Sequence, residues 1–158
     1  VNHGGNVVLV VSDVASLSGV PRAQYATYRN AGGEIDERSE SLMPDLIVDA
    51  LIGYGLRCAP RGRLADLIRW ASGTGAPILS LDIPSGVDGT TGEIPGAAVV
   101  PNWTMTLALP KTGLLPRRTG ELFLGDLGIP VETYRRARIE YLSPFRGRHV
   151  IALRGIES

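Results

Sequence analysis

A doubly wound, mostly parallel α/β sheet is the fold this sequence predicts, and three observations predict it. Apolar runs of strand length alternate with helix-length segments along the 158 residues. Those runs are apolar on both faces, as strands covered by helices on either side must be. One of them runs into a rigid polar loop, Ser80-Leu-Asp-Ile-Pro-Ser-Gly-Val-Asp-Gly-Thr-Thr-Gly-Glu93. Ligands of open α/β sheets bind just beyond the carboxyl ends of strands, which is where that loop lies.

The elements follow in order. Residues 7–11, Val-Val-Leu-Val-Val, read as a buried strand that closes on Ser12-Asp13. Ser18-Gly-Val-Pro21 opens a helix to about Asn30, and Gly32-Gly33 suits its C-terminus. Gly33-Glu-Ile-Asp36 reads as a short edge strand. Asp45-Leu-Ile-Val-Asp-Ala-Leu-Ile52 is a further strand, interrupted only by Asp49. Residues 61–72 form an amphipathic helix, with Leu64, Leu67, Ile68 and Ala71 on one stripe. Ala76-Pro-Ile-Leu-Ser-Leu81 is the strand before the polar loop, and residues 103–109 and 121–124 are two more. From Tyr134 the chain is rich in arginine and predicts a solvated helix with a terminal extension.

Composition bounds the function. A chain of this length is one domain with a real core. Lys plus Arg equals Asp plus Glu, 16 each, so no global field draws in nucleic acid or an anionic membrane. No apolar run approaches the roughly 20 residues that span a bilayer, and the first residues lack a signal-peptide pattern. A single cysteine, Cys58, excludes an internal disulfide and suits a reducing compartment. The two histidines, His3 and His149, lie far apart and with one thiol cannot build an ordinary zinc site. A soluble, cytoplasmic protein without nucleic-acid or membrane partners is expected.

Three polar positions need explaining. Asp82 stands at a strand end, where Pro84 stiffens the turn and Gly86 lets the backbone pass close to a neighbour. Asp49 lies inside an apolar run, and a carboxylate there is costly unless it is paired, hydrogen-bonded or bound to a cation. After it comes Gly53-Tyr-Gly55, with Pro60 near the first turn of the next helix. That pattern fits a phosphate-approaching loop, but taken alone it fits a helix-capping loop with a structural Asp49 better. It is neither a Walker loop nor a dinucleotide fingerprint. Lys111 is the sole lysine beside fifteen arginines, in Leu109-Pro-Lys-Thr-Gly113. Its compact ammonium is not one that arginine imitates, but a solvated loop lysine reads the same way.

Together these pieces resemble a known family. Asp49-Ala-Leu-Ile-Gly-Tyr-Gly, Leu81-Asp-Ile-Pro-Ser-Gly-Val-Asp, Thr104-Met-Thr-Leu-Ala-Leu-Pro-Lys-Thr-Gly and Gly125-Asp-Leu-Gly-Ile-Pro occur in that order. The chain is similar to the YjeF N-terminal domain, the fold of NAD(P)H-hydrate epimerases, from about Gly5 to Pro130. The resemblance implies a three-layer αβα Rossmann-like domain, a homodimer, and as substrate hydrated NADH or NADPH (NADHX or NADPHX) interconverted between R and S forms. It implies potassium in the site, with Asp49 and Ser85 at two ligand positions. Substrate-binding positions would be Gly53, Tyr54, Gly55, Leu56, Arg57, Cys58, Ala59 and Asp82, the catalytic ones Asp82 and Lys111.

Family members also carry an Asn-Asn-Gly-Gly-Asp-Gly loop after a first strand, which is not found among these residues. Residues 1–138 therefore read as an amino-terminally incomplete domain of this kind, and 139–158 as a carboxy-terminal extension. Without that first strand, an exposed sheet edge is expected. The same fold also serves as a non-catalytic scaffold in the enhancer of mRNA-decapping family, which is the alternative function.

Overall fold

The computed structural model of the chain describes residues 4–153. Two sheets carry the fold. β1 (Val8–Leu9) pairs in parallel with β2 (Glu34–Ile35), joined by helix α1 (Gly19–Asn30). The second sheet runs in chain order: β3 (Ile47–Asp49), β4 (Ile78–Leu81), β5 (Trp103–Leu107), β6 (Glu121–Gly125) and β7 (Val150–Leu153). Its first four strands are parallel and β7 is antiparallel to β6. The fold is thus α/β and mostly parallel, as the alternating apolar runs imply, and Rossmann-like, as the family resemblance implies.

The core forms where helix α2 (Gly62–Gly73) lies on β3 and β4. Leu67, Ile68 and Ala71 of the predicted stripe are buried together with Ala65, while Leu64 is half-buried. Ile68 and Ala71 pack with Ile78 and Val99 in one cluster, and Ile83, Val87 and Leu114 form a second around the polar loop. Fully burying side chains of this size contributes about 1.5–3 kcal/mol each. By contrast α1 buries none of its residues, so the β1–α1–β2 unit holds weakly to the rest.

Several strands are shorter than their apolar runs. β3 keeps three residues of the predicted eight, because the chain turns at Ala50 to bring Leu51 back to Asp49. β5 stops at Leu107, where Ala108 takes a positive φ of 63°.

The tail is more than the expected solvated helix with an extension: α4 (Val131–Arg136) is exposed apart from one residue, but the segment after it joins the sheet. The helix buries Tyr134, which stacks on Tyr141 with ring centroids 4.0 Å apart. Beyond it Phe145 is buried, and β7 returns to pair with β6. A short apolar run, Val150-Ile-Ala-Leu, supplies that strand.

The two sheets do not pair with each other among the described residues. Ile47 N–H bonds to Pro77 O, so the alternating ladder turns Val48 N–H and C=O away from β4. The Val48 residue is 52% exposed. Among the described residues no strand pairs with the outer edge of β3.

Candidate active site

The carboxyl ends of β3, β4 and β5 lie side by side, with Asp49 the last residue of β3, Asp82 directly after β4 and Lys111 in the loop after β5. They form two clusters.

The first is built on Asp49, the last residue of β3 and only 3% exposed. Ser80 Oγ donates to Oδ2 at 2.7 Å and Ser85 N–H to the same oxygen at 2.9 Å. Oδ1 accepts Ser85 Oγ–H at 2.6 Å and Leu51 N–H at 3.3 Å. Ser85 Oγ in turn accepts Ile52 N–H at 2.8 Å. The cost of a buried carboxylate is therefore offset by protein donors. Gly86 makes this geometry possible: its φ is +95° and a Cβ there would lie 2.2 Å from Ala97 O.

Asp49 and Ser85, expected to share a potassium ion, are indeed adjacent, and their oxygens suit a hard cation in type. As packed, however, they do not fit one. Both carboxylate oxygens already accept two hydrogen bonds, Ser85 is fully buried, and a cation would have to displace a donor.

The second cluster joins β4 to β5. Asp82 follows β4 with a φ of 67°, a conformation rare outside glycine, and its N–H is held by Met105 O at 2.8 Å. Oδ1 accepts from Lys111 Nζ, from Leu107 N–H at 3.1 Å and from Thr106 Oγ1–H at 3.4 Å. Lys111 Nζ also donates to Thr106 Oγ1 at 3.1 Å and Leu107 O at 2.8 Å. The Asp82 and Lys111 side chains are 27% and 17% exposed, so this ion pair is part-buried and faces solvent on one side. Gly113 closes the Lys111 loop onto the Asp88–Gly92 turn, where a Cβ would lie 2.4 Å from Asp88 O.

The segment from Gly53 to Ala59 lies outside both clusters. Gly53, Tyr54, Gly55, Arg57 and Cys58 are exposed, Leu56 and Ala59 half-buried. It docks on the polar loop through Tyr54 Oη and Thr90 Oγ1, 2.8 Å apart, and through Ala59 against Gly96. A groove of about 570 Å³ opens on the other side of Asp49, lined by Leu9, Ser12, Tyr25, Tyr28, Ala50 and Leu51. Asp82 and Lys111 do not line it.

Ser80 and Thr106 escaped the sequence reading. Both are fully buried polar residues inside apolar strands. That interruption, the same signal that marked Asp49, would have found them.

The family profile "YjeF-related protein N-terminus" matches residues 1–113. The chain belongs to this family. Among YjeF relatives it is 49% identical over 159 residues to an NAD(P)H-hydrate epimerase of Dehalogenimonas lykanthroporepellens, covering 99% of this chain and 65% of that protein. It is 37% identical to an NAD(P)H-hydrate epimerase of Weissella koreensis, over 63% of this chain and 45% of that one. A bifunctional NAD(P)H-hydrate repair enzyme of Escherichia coli is 46% identical over 63% of this chain and 21% of its own length. This YjeF-family chain thus spans less than two thirds of the length of these relatives. The crystal structure of yeast YNL200c shares the fold, with a TM-score of 0.75 at 18% identity over 96% of this chain and 68% of the yeast one.

Proposed function

We propose that this chain carries the chemistry of an NAD(P)H-hydrate epimerase, interconverting the R and S forms of hydrated NADH and NADPH. The observation that carries the reading is Asp82. Its carboxylate stands at the carboxyl end of β4 with Oδ1 held by Lys111 and Leu107 N–H. Relatives that share this chain's sequence bear the epimerase name.

The hydrated ring carbon bears a hydroxyl and a ring nitrogen. On this reading inversion runs through the C–O bond, which breaks and re-forms from the opposite face. A proton goes onto the hydroxyl oxygen as it leaves as water, and comes off the water that returns. Asp82 gives and recovers that proton, a role worth typically 10²–10⁴ in rate. Lys111 holds the carboxylate in place. Gly53, Tyr54, Gly55, Leu56, Arg57, Cys58 and Ala59 bind the phosphate or ribose, through the backbone amides of this exposed segment. Potassium at Asp49 and Ser85 has no step in this scheme, and a cation there would first have to displace a protein donor. The working protein on this reading is a cytoplasmic homodimer. Equal numbers of acidic and basic residues and a lone cysteine support a partner list of small molecules, without nucleic acid or membrane.

The test is epimerisation of purified (R)-NADHX, with the two epimers separated by chromatography. The chain is expected to convert it above the spontaneous rate, and Asp82→Asn to lose at least about 10²-fold in kcat while keeping its fold. A wild-type rate in that variant removes Asp82 from the mechanism. Failure of the unmodified chain to convert would point to a fragment or to the scaffold alternative, and restoring the segment that carries the family's Asn-Asn-Gly-Gly-Asp-Gly loop decides between them.

A further inference from the structure

We propose that Thr106 is a positioning residue: its buried hydroxyl clamps the Lys111 ammonium onto Asp82 Oδ1, which leaves Oδ2 as the oxygen presented to substrate. The proposal deepens the epimerase reading and takes its catalytic meaning from it.

The two oxygens of Asp82 are unequal. Oδ1 receives three donors: Lys111 Nζ, Leu107 N–H and Thr106 Oγ1–H. Among the described residues Oδ2 receives no hydrogen bond, although the side chain is only 27% exposed. Rotation about the last side-chain bond would exchange the oxygens, so a fixed Oδ2 requires an occupied Oδ1. Sp³–sp² torsions of this kind are soft, and the hydrogen bonds must set them.

Lys111 cannot serve as the proton carrier in this arrangement. An ammonium has three N–H donors, and here they go to Asp82 Oδ1, Thr106 Oγ1 and Leu107 O. No donor is left for substrate. The cation is a fixed strut, and two groups touch both ends of the ion pair: Leu107 through its backbone N–H and C=O, and Thr106, the only side chain of the two, through its hydroxyl. Its hydroxyl accepts from Lys111 Nζ at 3.1 Å and directs its own proton at Asp82 Oδ1, 3.4 Å away. The residue is fully buried in β5 and paired with Leu124, so its β-branched side chain has little freedom.

A hydroxyl that accepts from the cation and donates to the anion stops either from swinging away. Valine has nearly the same shape and lacks both functions. Thr106→Val should therefore leave the fold intact and loosen the pair, which then rests on the Leu107 backbone alone.

Lys111 is the only lysine of the chain, so ¹⁵N-lysine labelling yields one side-chain ammonium signal. In the unmodified protein that signal should persist at neutral pH, because all three protons are held. In Thr106→Val its proton exchange should rise about 10-fold, the equivalent of one lost hydrogen bond. Thr106→Ser should restore the unmodified value. In the epimerase assay kcat should fall about 10–100-fold in the valine variant with KM within about twofold, since misplacing a reacting group costs that much. Unchanged ammonium exchange in Thr106→Val overturns the clamp, whatever the activity. Persistent protection without turnover by the unmodified chain would leave the clamp standing and separate it from the epimerase reading. Should the valine variant not fold, Thr106→Ser against Thr106→Ala reads the same difference.

Discussion

Ser85 grips both oxygens of Asp49, its N–H on Oδ2 at 2.9 Å and its hydroxyl on Oδ1 at 2.6 Å. These residues are 36 positions apart, and the grip ties the end of β3 to the start of the loop that carries Asp82. Ser80 and Leu51 add the remaining donors, so Asp49 is the knot of this part of the sheet.

Asp49→Asn tests the knot. An amide offers one acceptor oxygen and two N–H donors to a site where four donors converge. At least one buried donor loses its partner, which costs about 2 kcal/mol. The thermal midpoint should fall by roughly 4–8 °C for a domain of this size, read by circular dichroism. An unchanged midpoint would mean that the carboxylate is not needed as an acceptor.

Potassium provides a second test of the same site. A ligand that binds only the folded state raises stability in proportion to the logarithm of its concentration over its dissociation constant. With the Asp49 acceptors filled by protein donors, matched potassium and sodium chloride should give midpoints within about 1 °C. A rise specific to potassium would show that the ion displaces a donor such as Ser80 Oγ, and would restore the ligand roles first expected for Asp49 and Ser85.

The open edge of β3 predicts a local pattern of amide exchange. Ile47 N–H is bonded to Pro77 O, whereas Val48 N–H points away from β4. Val48 should exchange at least about 10-fold faster than Ile47 by hydrogen-exchange NMR, because its amide opens without breaking the ladder. Equal protection at the two positions would mean that the edge is covered in solution.

Much of this was legible in the sequence, for a physical reason: strands buried on two faces must be apolar, and the exceptions must be compensated. Asp49 was flagged on that ground, and the structure compensates it. What sequence could not supply was the identity of the compensating groups. Two of the four donors to Asp49 are backbone amides, which no residue type announces. Likewise Asp82 and Lys111 were singled out separately, yet their pairing depends on register across β4 and β5. β7 is hidden in the sequence because its four residues sit in an arginine-rich tail, although Pro144 and Gly147 mark a turn just ahead of them. In the predicted substrate segment Gly53, Tyr54, Gly55, Arg57 and Cys58 are exposed while Leu56 and Ala59 are half-buried, along a loop path that periodicity does not describe.

Acid should loosen the turn that holds Lys111 in place. Thr90 N–H and Thr91 N–H converge on Asp88 Oδ1 at 2.8 Å each. These bonds, the Thr91 amide first, hold the Asp88 carboxyl below its ordinary value of 3.8. A carboxylate whose folded-state pKa is depressed contributes stability above the unfolded value and loses it as pH falls through the folded one. Asp88→Asn keeps an acceptor oxygen but carries no charge at any pH. The unmodified protein should therefore be the more stable of the two above pH 3.8, and the difference should close below it. Glu40, whose pKa is also lowered, is common to both proteins and cancels. Urea unfolding of the pair across this range reads the difference directly. A gap that does not change with pH would assign the turn's stability to groups other than the Asp88 charge.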